Sequence, residues 1–217
     1  MSRRKLWASL ILNSANVFAV LVWIIYLIVK DPASFRMFTI QSNLLTGIVA
    51  GILVVLEILI LRGKKEKLPR WSRILKMATT LSVIVTCLVV VFYLSFVAVS
   101  LGYSYFILFE EYNLFFHLLT PVMATISFVF FERDNDIPFK YTFLNLTHLI
   151  IYMIAYAINV FVHLDANGKA TRKYDWYYFV TGDFWLIIPE GLALLVLAYG
   201  AGVAIWYFNR RNIQNVV

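Results

Sequence analysis

Six long apolar runs divide the chain, and short stretches of charged or aromatic residues separate them. The runs cover residues 6–29, 37–61, 74–101, 112–131, 142–164 and 185–208. Each is about 20 residues or longer, the length that an α-helix needs to cross a bilayer. The runs are continuous and lack the two-residue alternation of a membrane β-barrel. The pattern therefore predicts an all-α integral membrane protein whose residues 1–217 form a single domain of six transmembrane helices.

The composition agrees with this prediction. Hydrophobic residues make up 62% and charged residues 14% of the 217 residues, and the mean hydropathy is +0.80. A soluble domain averages about 45–50% apolar and about 25% charged residues. Too few residues remain outside the six runs for a soluble catalytic domain. Any chemistry is therefore expected within the bilayer or at its edge.

Lysine and arginine are distributed unevenly between the two ends of the predicted bundle. With the N-terminus in the cytoplasm, fourteen of them lie on the inner side and five on the outer side. Cytoplasmic loops of membrane proteins carry such an excess, so we expect both termini to be cytoplasmic, in the cell membrane if the source is bacterial. Orientation and anionic headgroups explain the net charge of +7, and we expect no nucleic-acid partner.

Polar side chains concentrate near the outer ends of the predicted helices. In a span, such groups usually face the bundle interior or water. Thr39, Ser42 and Asn43 share one face of the second helix, because residues three and four apart lie together on a helix. Asn113 and His117 share a face of the fourth helix in the same way. The candidate site residues are Thr39, Gln41, Ser42, Asn43, Asn113, His117 and Glu190.

Pro121 follows His117 by four residues within the fourth apolar run. A proline inside a helix clashes with the carbonyl group four residues earlier. The sequence therefore predicts a kink or a loosened turn beside His117.

A hydroxyl group with a nearby histidine can act as a nucleophile with its base. Here either Thr39 or Ser42 could attack an ester, with His117 removing the proton. The amides that could stabilise a developing oxyanion are those of Gln41, Asn43 and Asn113. The same polar groups could instead only hydrogen-bond the second and fourth helices together.

Three other interpretations use the same polar residues. His117, His163, Glu190 and Asp183 could hold a metal with an open position, but they come from separate segments, and we predict no metal and no other cofactor. The outer polar cluster could also be the vestibule of a lipid-binding or transport protein, although no internal repeat of the kind common in transporters is apparent. A membrane scaffold is the third interpretation.

Several other residues in the runs predict helix contacts. Glu57 lies five residues before Arg62, so we expect it to snorkel to the membrane interface or to pair there. Glycines within the runs predict close approaches between helices. They are Gly47, Gly51, Gly191, Gly200 and Gly202. Aromatic residues before the sixth run, from Trp176 onward, are expected at the headgroup level.

Three short motifs together resemble the androgen-induced-gene family of six-span membrane proteins and their bacterial relatives. They are the stretch from Phe38 to Asn43 that opens the second helix, the Asn113 and His117 pair followed by Pro121, and the aromatic cluster 176–179. The number and spacing of the spans also fit. The resemblance covers most of the chain.

The family includes hydrolases that cleave fatty acid esters of hydroxy fatty acids. The resemblance implies a threonine nucleophile at Thr39, a histidine base at His117, and membrane lipids or fatty acyl esters as partners. It therefore favours a threonine-dependent lipid esterase. Gln41, Ser42 and Asn43 make this stretch more polar than in the animal hydrolases, and Ser42 is a competing hydroxyl.

Overall fold

The computed structural model describes residues 2–133, 136–177 and 187–211. Six helices are long and apolar enough to cross a membrane, and no strand occurs in these three ranges, which confirms the predicted all-α class. The helices are α1 (Arg3–Lys30), α2 (Phe38–Leu61), α3 (Arg70–Ser100), α4 (Tyr112–Phe131), α5 (Tyr141–Val162) and α6 (Ile188–Arg210).

The helix ends carry sequence signals that explain where the chain turns. The Ser2 hydroxyl accepts a hydrogen bond from the Lys5 amide and caps α1. Lys30 lies in the last turn of α1, where a cation is favourable beside the negative end of the helix dipole. After α2, Gly63 takes a positive φ of 70°, and Pro69 precedes the first residue of α3. The short connection lets α2 pack beside both α1 and α3.

The bundle has two ends of different chemistry. The end that we call the basic end contains Arg3, Arg4, Lys5, residues 62–70 and Arg133. The opposite end, which we call the aromatic end, contains residues 31–37, 103–110 and 163–177.

Burial is reversed relative to a soluble protein, because polar side chains fill much of the interior and apolar side chains cover the outside. Phe18 and Val29 are 71% and 73% exposed. Asn13, Asn16 and Thr80, in contrast, are fully buried. Lipid is as apolar as the exposed side chains, so polar groups are placed where other helices can meet them.

Two of the predicted glycine contacts bring helices unusually close together. A Cβ atom on Gly47 would lie 2.6 Å from a methyl group of Val20, so α1 and α2 touch here. One on Gly191 would lie 2.9 Å from the end of the Met153 side chain, between α5 and α6. Gly200 is different, since a Cβ atom there would meet nothing within 4 Å.

The predicted loosening of the fourth helix is confirmed. Residues Phe115–Leu119, which include His117, form a π-helical turn, and regular helix resumes at Thr120 just before Pro121. Because the proline has no N–H and its ring disfavours the ordinary helical bond, the wider turn accommodates it. His117 thus lies on an irregular segment inside the bundle.

The predicted pairing of Glu57 with Arg62 is wrong. Glu57 is fully buried. It accepts hydrogen bonds from the Ser9 hydroxyl at 2.5 Å and the Asn13 amide at 3.2 Å. Arg62 is exposed beyond the end of α2. The difference arises because α1 places two donors beside Glu57, which spacing within α2 alone cannot reveal.

Candidate functional site

A cavity of about 360 Å³ lies among α2, α3, α5 and α6 toward the aromatic end. Most of its wall is apolar, with residues such as Val85, Val89 and Leu194. The polar residues on the wall are Thr39, Thr86, Tyr152, Tyr156, Tyr177 and Glu190. The volume is at the lower end of the range for small-molecule sites. A wall of this kind suits a hydrocarbon chain with a single polar group.

Thr39 occupies the first turn of α2, at the point where this helix meets the cavity. The Gln41 amide donates to the Phe35 carbonyl at 3.0 Å and holds the preceding turn against the helix. The amide of Phe38 donates to the Tyr177 hydroxyl at 2.9 Å. The Thr39 hydroxyl also hydrogen-bonds with Tyr177. Thr39 thus presents a hydroxyl group on the cavity wall beside a phenol.

The structure places Tyr177 at the site, whereas its position in the sequence predicts only a location at the aromatic rim. It lies against the start of α2 because the first amides of a helix have no partner within the helix. Burial raises the pKa of its phenol, and hydrogen bonds from Phe38 and Thr39 oppose that rise. The phenol is therefore neutral at pH 7 and can donate a proton. Its neighbours Tyr178 and Phe179 lie outside the described residues.

His117 is buried in the π-helical turn of α4. Its Nδ1 atom lies 2.6 Å from the Leu108 carbonyl oxygen. Because a carbonyl oxygen can only accept, Nδ1 carries the hydrogen and Nε2 keeps its lone pair. The Phe109 ring packs against the imidazole edge to face, with ring centroids 6.3 Å apart. In its neutral form His117 therefore has one nitrogen, Nε2, available as a base.

Asn43 joins α2 and α4 at the level of both candidate catalytic residues. Its amide donates to the Thr39 carbonyl at 2.8 Å and to the Phe116 carbonyl at 3.1 Å. The backbone beside His117 is therefore tied to the backbone of Thr39. Within the described part of the chain, however, the Thr39 hydroxyl and the His117 ring make no hydrogen bond to each other, and the cavity wall does not include His117.

The structure separates the two candidate hydroxyls. Ser42 is fully buried, and its hydroxyl donates to the Thr39 carbonyl at 3.0 Å and meets the Thr86 hydroxyl at 3.1 Å. Ser42 is not part of the cavity wall, whereas Thr39 is. Asn113 is half-buried in the first turn of α4. The described hydrogen bonds of the Gln41 and Asn43 amides go to backbone carbonyls, so these amides hold the helices in place.

Glu190 comes from α6 and lines the cavity. One of its carboxylate oxygens is buried without a hydrogen-bond partner among the described residues. The loop before α6 reaches the same region, because the Tyr156 hydroxyl donates to the Asp175 carboxylate. Trp176 donates to the Tyr152 hydroxyl at 3.1 Å. The cavity wall thus carries one carboxyl group and three phenols, and most of the rest is hydrocarbon.

The other two histidines do not line the cavity. His148 stacks on the Phe38 ring at 4.8 Å and meets the Ser82 hydroxyl at 3.2 Å. His163 is exposed and stacks on Tyr174. No group of three or more potential metal ligands occurs among the described residues, and Asp183 lies outside them.

The chain matches no family model, no curated protein and no solved structure. The resemblance to the androgen-induced-gene family therefore rests on the motifs and the order of the spans, and it stays a prediction. The cavity and the residues that line it are the structural basis for a functional proposal.

Proposed function

We propose that the protein is an intramembrane hydrolase that cleaves an ester of a long-chain lipid, with Thr39 as the nucleophile and His117 as the base. The observation that carries this proposal is the position of Thr39, whose side chain lines an apolar cavity of about 360 Å³. An acyl chain fills such a cavity and brings its ester group to the polar end. The motif resemblance supports the same two residues.

In the proposed reaction, Thr39 comes from the cavity wall and His117 from the turn of α4 that Asn43 ties to the Thr39 backbone. The Thr39 oxygen attacks the ester carbonyl carbon, and its proton moves to Nε2 of His117. The tetrahedral intermediate then collapses, and the leaving alcohol takes that proton, which leaves an acyl-threonine. Water attacks the acyl carbon and gives a proton to His117, which returns it to the Thr39 oxygen. A free fatty acid and the original side chains result.

The Thr39 hydroxyl must turn from Tyr177 toward His117 for the first step. Threonine in a helix has two accessible side-chain rotamers, and the Asn43 amide keeps the two backbones together during the change. Catalytic hydrogen bonds commonly tighten only when substrate is bound. Once Thr39 has turned, the Tyr177 phenol is released to donate to the oxyanion.

A fluorophosphonate probe and a fatty acid ester of a hydroxy fatty acid test this proposal on the purified protein in lipid nanodiscs. We expect labelling and fatty acid release in the wild type, loss of both in Thr39→Ala, and partial retention in Thr39→Ser. His117→Gln should lose turnover. Equal labelling in wild type and Thr39→Ala would refute Thr39 as the nucleophile, and loss in Ser42→Ala alone would transfer the role to Ser42.

A lipid-binding or transport protein without turnover is the second candidate. The observation that favours it is that Thr39 and His117 make their hydrogen bonds to Tyr177 and Leu108 and not to each other. It predicts saturable binding of a fluorescent acyl ester and no product. Filling the cavity by Val89→Phe would then weaken binding, with no hydrolysis to lose.

We further propose that the basic end faces the cytoplasm, so that the cavity belongs to the outer half of the membrane. The distribution of lysine and arginine supports this orientation. Reporter fusions at the two termini test it, with alkaline phosphatase active only outside and a fluorescent protein bright only inside. Phosphatase activity at either terminus would contradict the proposal.

A further inference from the structure

A second group of polar residues is packed in the half of the bundle near the basic end, far along α2 from Thr39. The group joins α1, α2, α3 and the end of α4, and every member is fully or almost fully buried. The ionic cluster, as we call it, consists of Ser9, Asn13, Glu57, Lys76, Ser127 and Glu132. Nothing in the proposed hydrolysis uses these residues.

The charges of the ionic cluster do not balance. Glu57 and Glu132 are carboxyl groups, and Lys76 is the ammonium group beside them. The Lys76 nitrogen lies 3.7 Å from a Glu132 oxygen and donates to the Asn13 side-chain oxygen at 2.6 Å. With both carboxyl groups ionised, a negative charge would remain in a dry interior, which costs far more than binding a proton.

Among the described residues, the neighbouring charges do not supply the missing positive charge. Arg73, one turn before Lys76, pairs with Asp136, so this pair is neutral. Arg133 follows Glu132 but directs its guanidinium to the carbonyls of Val129 and Arg211. On α1 and α2 the cationic side chains near the basic end are exposed. They are Arg3, Arg4, Lys5 and Arg62.

The hydrogen-bond geometry indicates where a proton is held. The Ser9 hydroxyl lies 2.5 Å from one Glu57 oxygen and 3.2 Å from one Glu132 oxygen. A hydroxyl has one hydrogen, so it can donate to only one carboxylate at a time. When it donates to Glu57, its 3.2 Å contact with the Glu132 oxygen has no hydrogen of its own unless a proton is held between the two acids. One proton shared between the two acids supplies that hydrogen and satisfies both contacts.

The remaining donors around the two acids favour the same assignment. Ser127 donates to the Glu132 oxygen that also faces Ser9, at 2.5 Å. The Asn13 amide reaches Glu57 at 3.2 Å and Glu132 at 3.1 Å. The second Glu132 oxygen is buried with no donor among the described residues. A buried carboxyl oxygen without a donor is costly when the pair of acids carries two negative charges, and one shared proton reduces that cost.

We propose that the ionic cluster is a binding site for a single proton, which Glu57 and Glu132 share through the Ser9 hydroxyl. With the proton bound, the cluster has one carboxylate and one ammonium and is neutral overall. Because its members come from four helices, the bound proton keeps the half of the bundle near the basic end packed. Release of the proton leaves two anions side by side and loosens this packing.

Infrared spectroscopy of the purified protein tests the proposal directly. A protonated carboxyl group has a C=O stretching band that is separate from the carboxylate bands and shifts in D2O. We expect this band at neutral pH in the wild type. We expect it to be lost in the double variant Glu57→Gln, Glu132→Gln and unchanged in Glu66→Gln, whose side chain is exposed in the loop after α2. Absence of the band in the wild type, or its survival in the double variant, would overturn the proposal.

The pH dependence of unfolding gives a second measurement that needs no spectral assignment. Both glutamates are ionised in the unfolded chain above about pH 5. Folding therefore takes up one proton at any higher pH at which the folded cluster holds a proton. Stability must then fall as the pH rises. We expect a loss of melting temperature between about pH 6 and about pH 9 in the wild type, and a flatter profile in Glu132→Gln. The same slope in both proteins would overturn the proposal.

A bound alkali cation is the competing occupant. Measurements in sodium chloride and in choline chloride distinguish it, since a proton site shows the same carboxyl band in both salts. A band that disappears on addition of sodium would assign the site to Na⁺ and overturn the proton assignment.

Discussion

The cavity beside Thr39 and the ionic cluster around Glu57 both place polar groups inside an apolar bundle, but they differ in packing. In the cavity, a few hydroxyls and one carboxylate face open space lined by hydrocarbon. In the ionic cluster, every residue contacts another member, with separations as short as 2.5 Å. Space beside a reactive group suits a ligand of substantial size. A filled network suits a ligand as small as a proton.

The largest effect should come from the hydroxyl on the cavity wall. Thr39→Ala is expected to lower kcat by about 10⁴-fold, because it removes the attacking atom. Binding of a non-hydrolysable acyl ester and the melting temperature should change little, since the cavity keeps its apolar wall. Measured kcat and ligand affinity check this split. A fall in affinity equal to the fall in kcat would show that Thr39 serves the fold.

In the ionic cluster, the largest effect should be on stability. Lys76→Met keeps most of the side-chain volume but removes the only ammonium in the cluster, and we expect a loss of about 3–5 kcal/mol. The second substitution Glu132→Gln should restore much of this loss, because a single carboxyl group can then be neutral. Unfolding of both variants in mixed detergent measures the difference. No rescue would contradict the charge argument.

Tyr177→Phe should have an intermediate effect, and it tests the role of the phenol apart from that of Thr39. Tyr177→Phe removes one donor to the oxyanion and should lower kcat by about 100-fold, with KM nearly unchanged. Because burial raises the pKa of Tyr177, the wild-type rate should show no loss from this group as the pH rises from about 7 to about 9. A KM effect without a kcat effect would limit Tyr177 to substrate binding.

A smaller effect tests the contact between α1 and α2 that lies between the two sites. Gly47→Ala forces a methyl group to within 2.6 Å of Val20, and we expect a loss of about 1–3 kcal/mol from overpacking. Gly200→Ala is the matched control, because its methyl group meets nothing within 4 Å. Similar stability of the two variants would mean that α1 shifts easily against α2.

The smallest effect is expected at Arg62. Because Glu57 bonds to Ser9 and Asn13, Arg62→Gln should change stability by less than about 0.5 kcal/mol. A loss of stability comparable to that of Lys76→Met would instead support the pairing of Glu57 with Arg62 that the sequence suggested. Unfolding in the same detergent mixture provides the comparison.

The features that depend on local pattern could be predicted, and those that depend on neighbours in space could not. Apolar length located all six helices, and Pro121 located the π-helical turn at His117. The ionic cluster was missed because Lys76 and Glu132 are near the ends of apolar runs, where charges usually face water. Tyr177 was missed because an aromatic residue before a span has the same sequence pattern whether it faces lipid or the bundle.

The candidate site shows the same division. The spacing of Thr39 and Asn43 indicated a shared face, and Asn43 indeed reaches the Thr39 carbonyl. The choice between Thr39 and Ser42 required the cavity, because both hydroxyls are near the same end of α2. The packing of four helices decides which hydroxyl faces the cavity, and the spacing of residues along α2 does not reveal this.

The π-helical turn at Phe115–Leu119 in α4 also has a consequence for insertions and deletions. Such a turn contains one residue more than the regular helix around it. Each residue of an α-helix rotates the chain by about 100°. Deleting Leu118 or Leu119 would therefore leave an uninterrupted regular helix in this segment while turning His117 to a different face from the one set by Thr120 onward. One residue in this segment therefore sets the direction in which the His117 imidazole points.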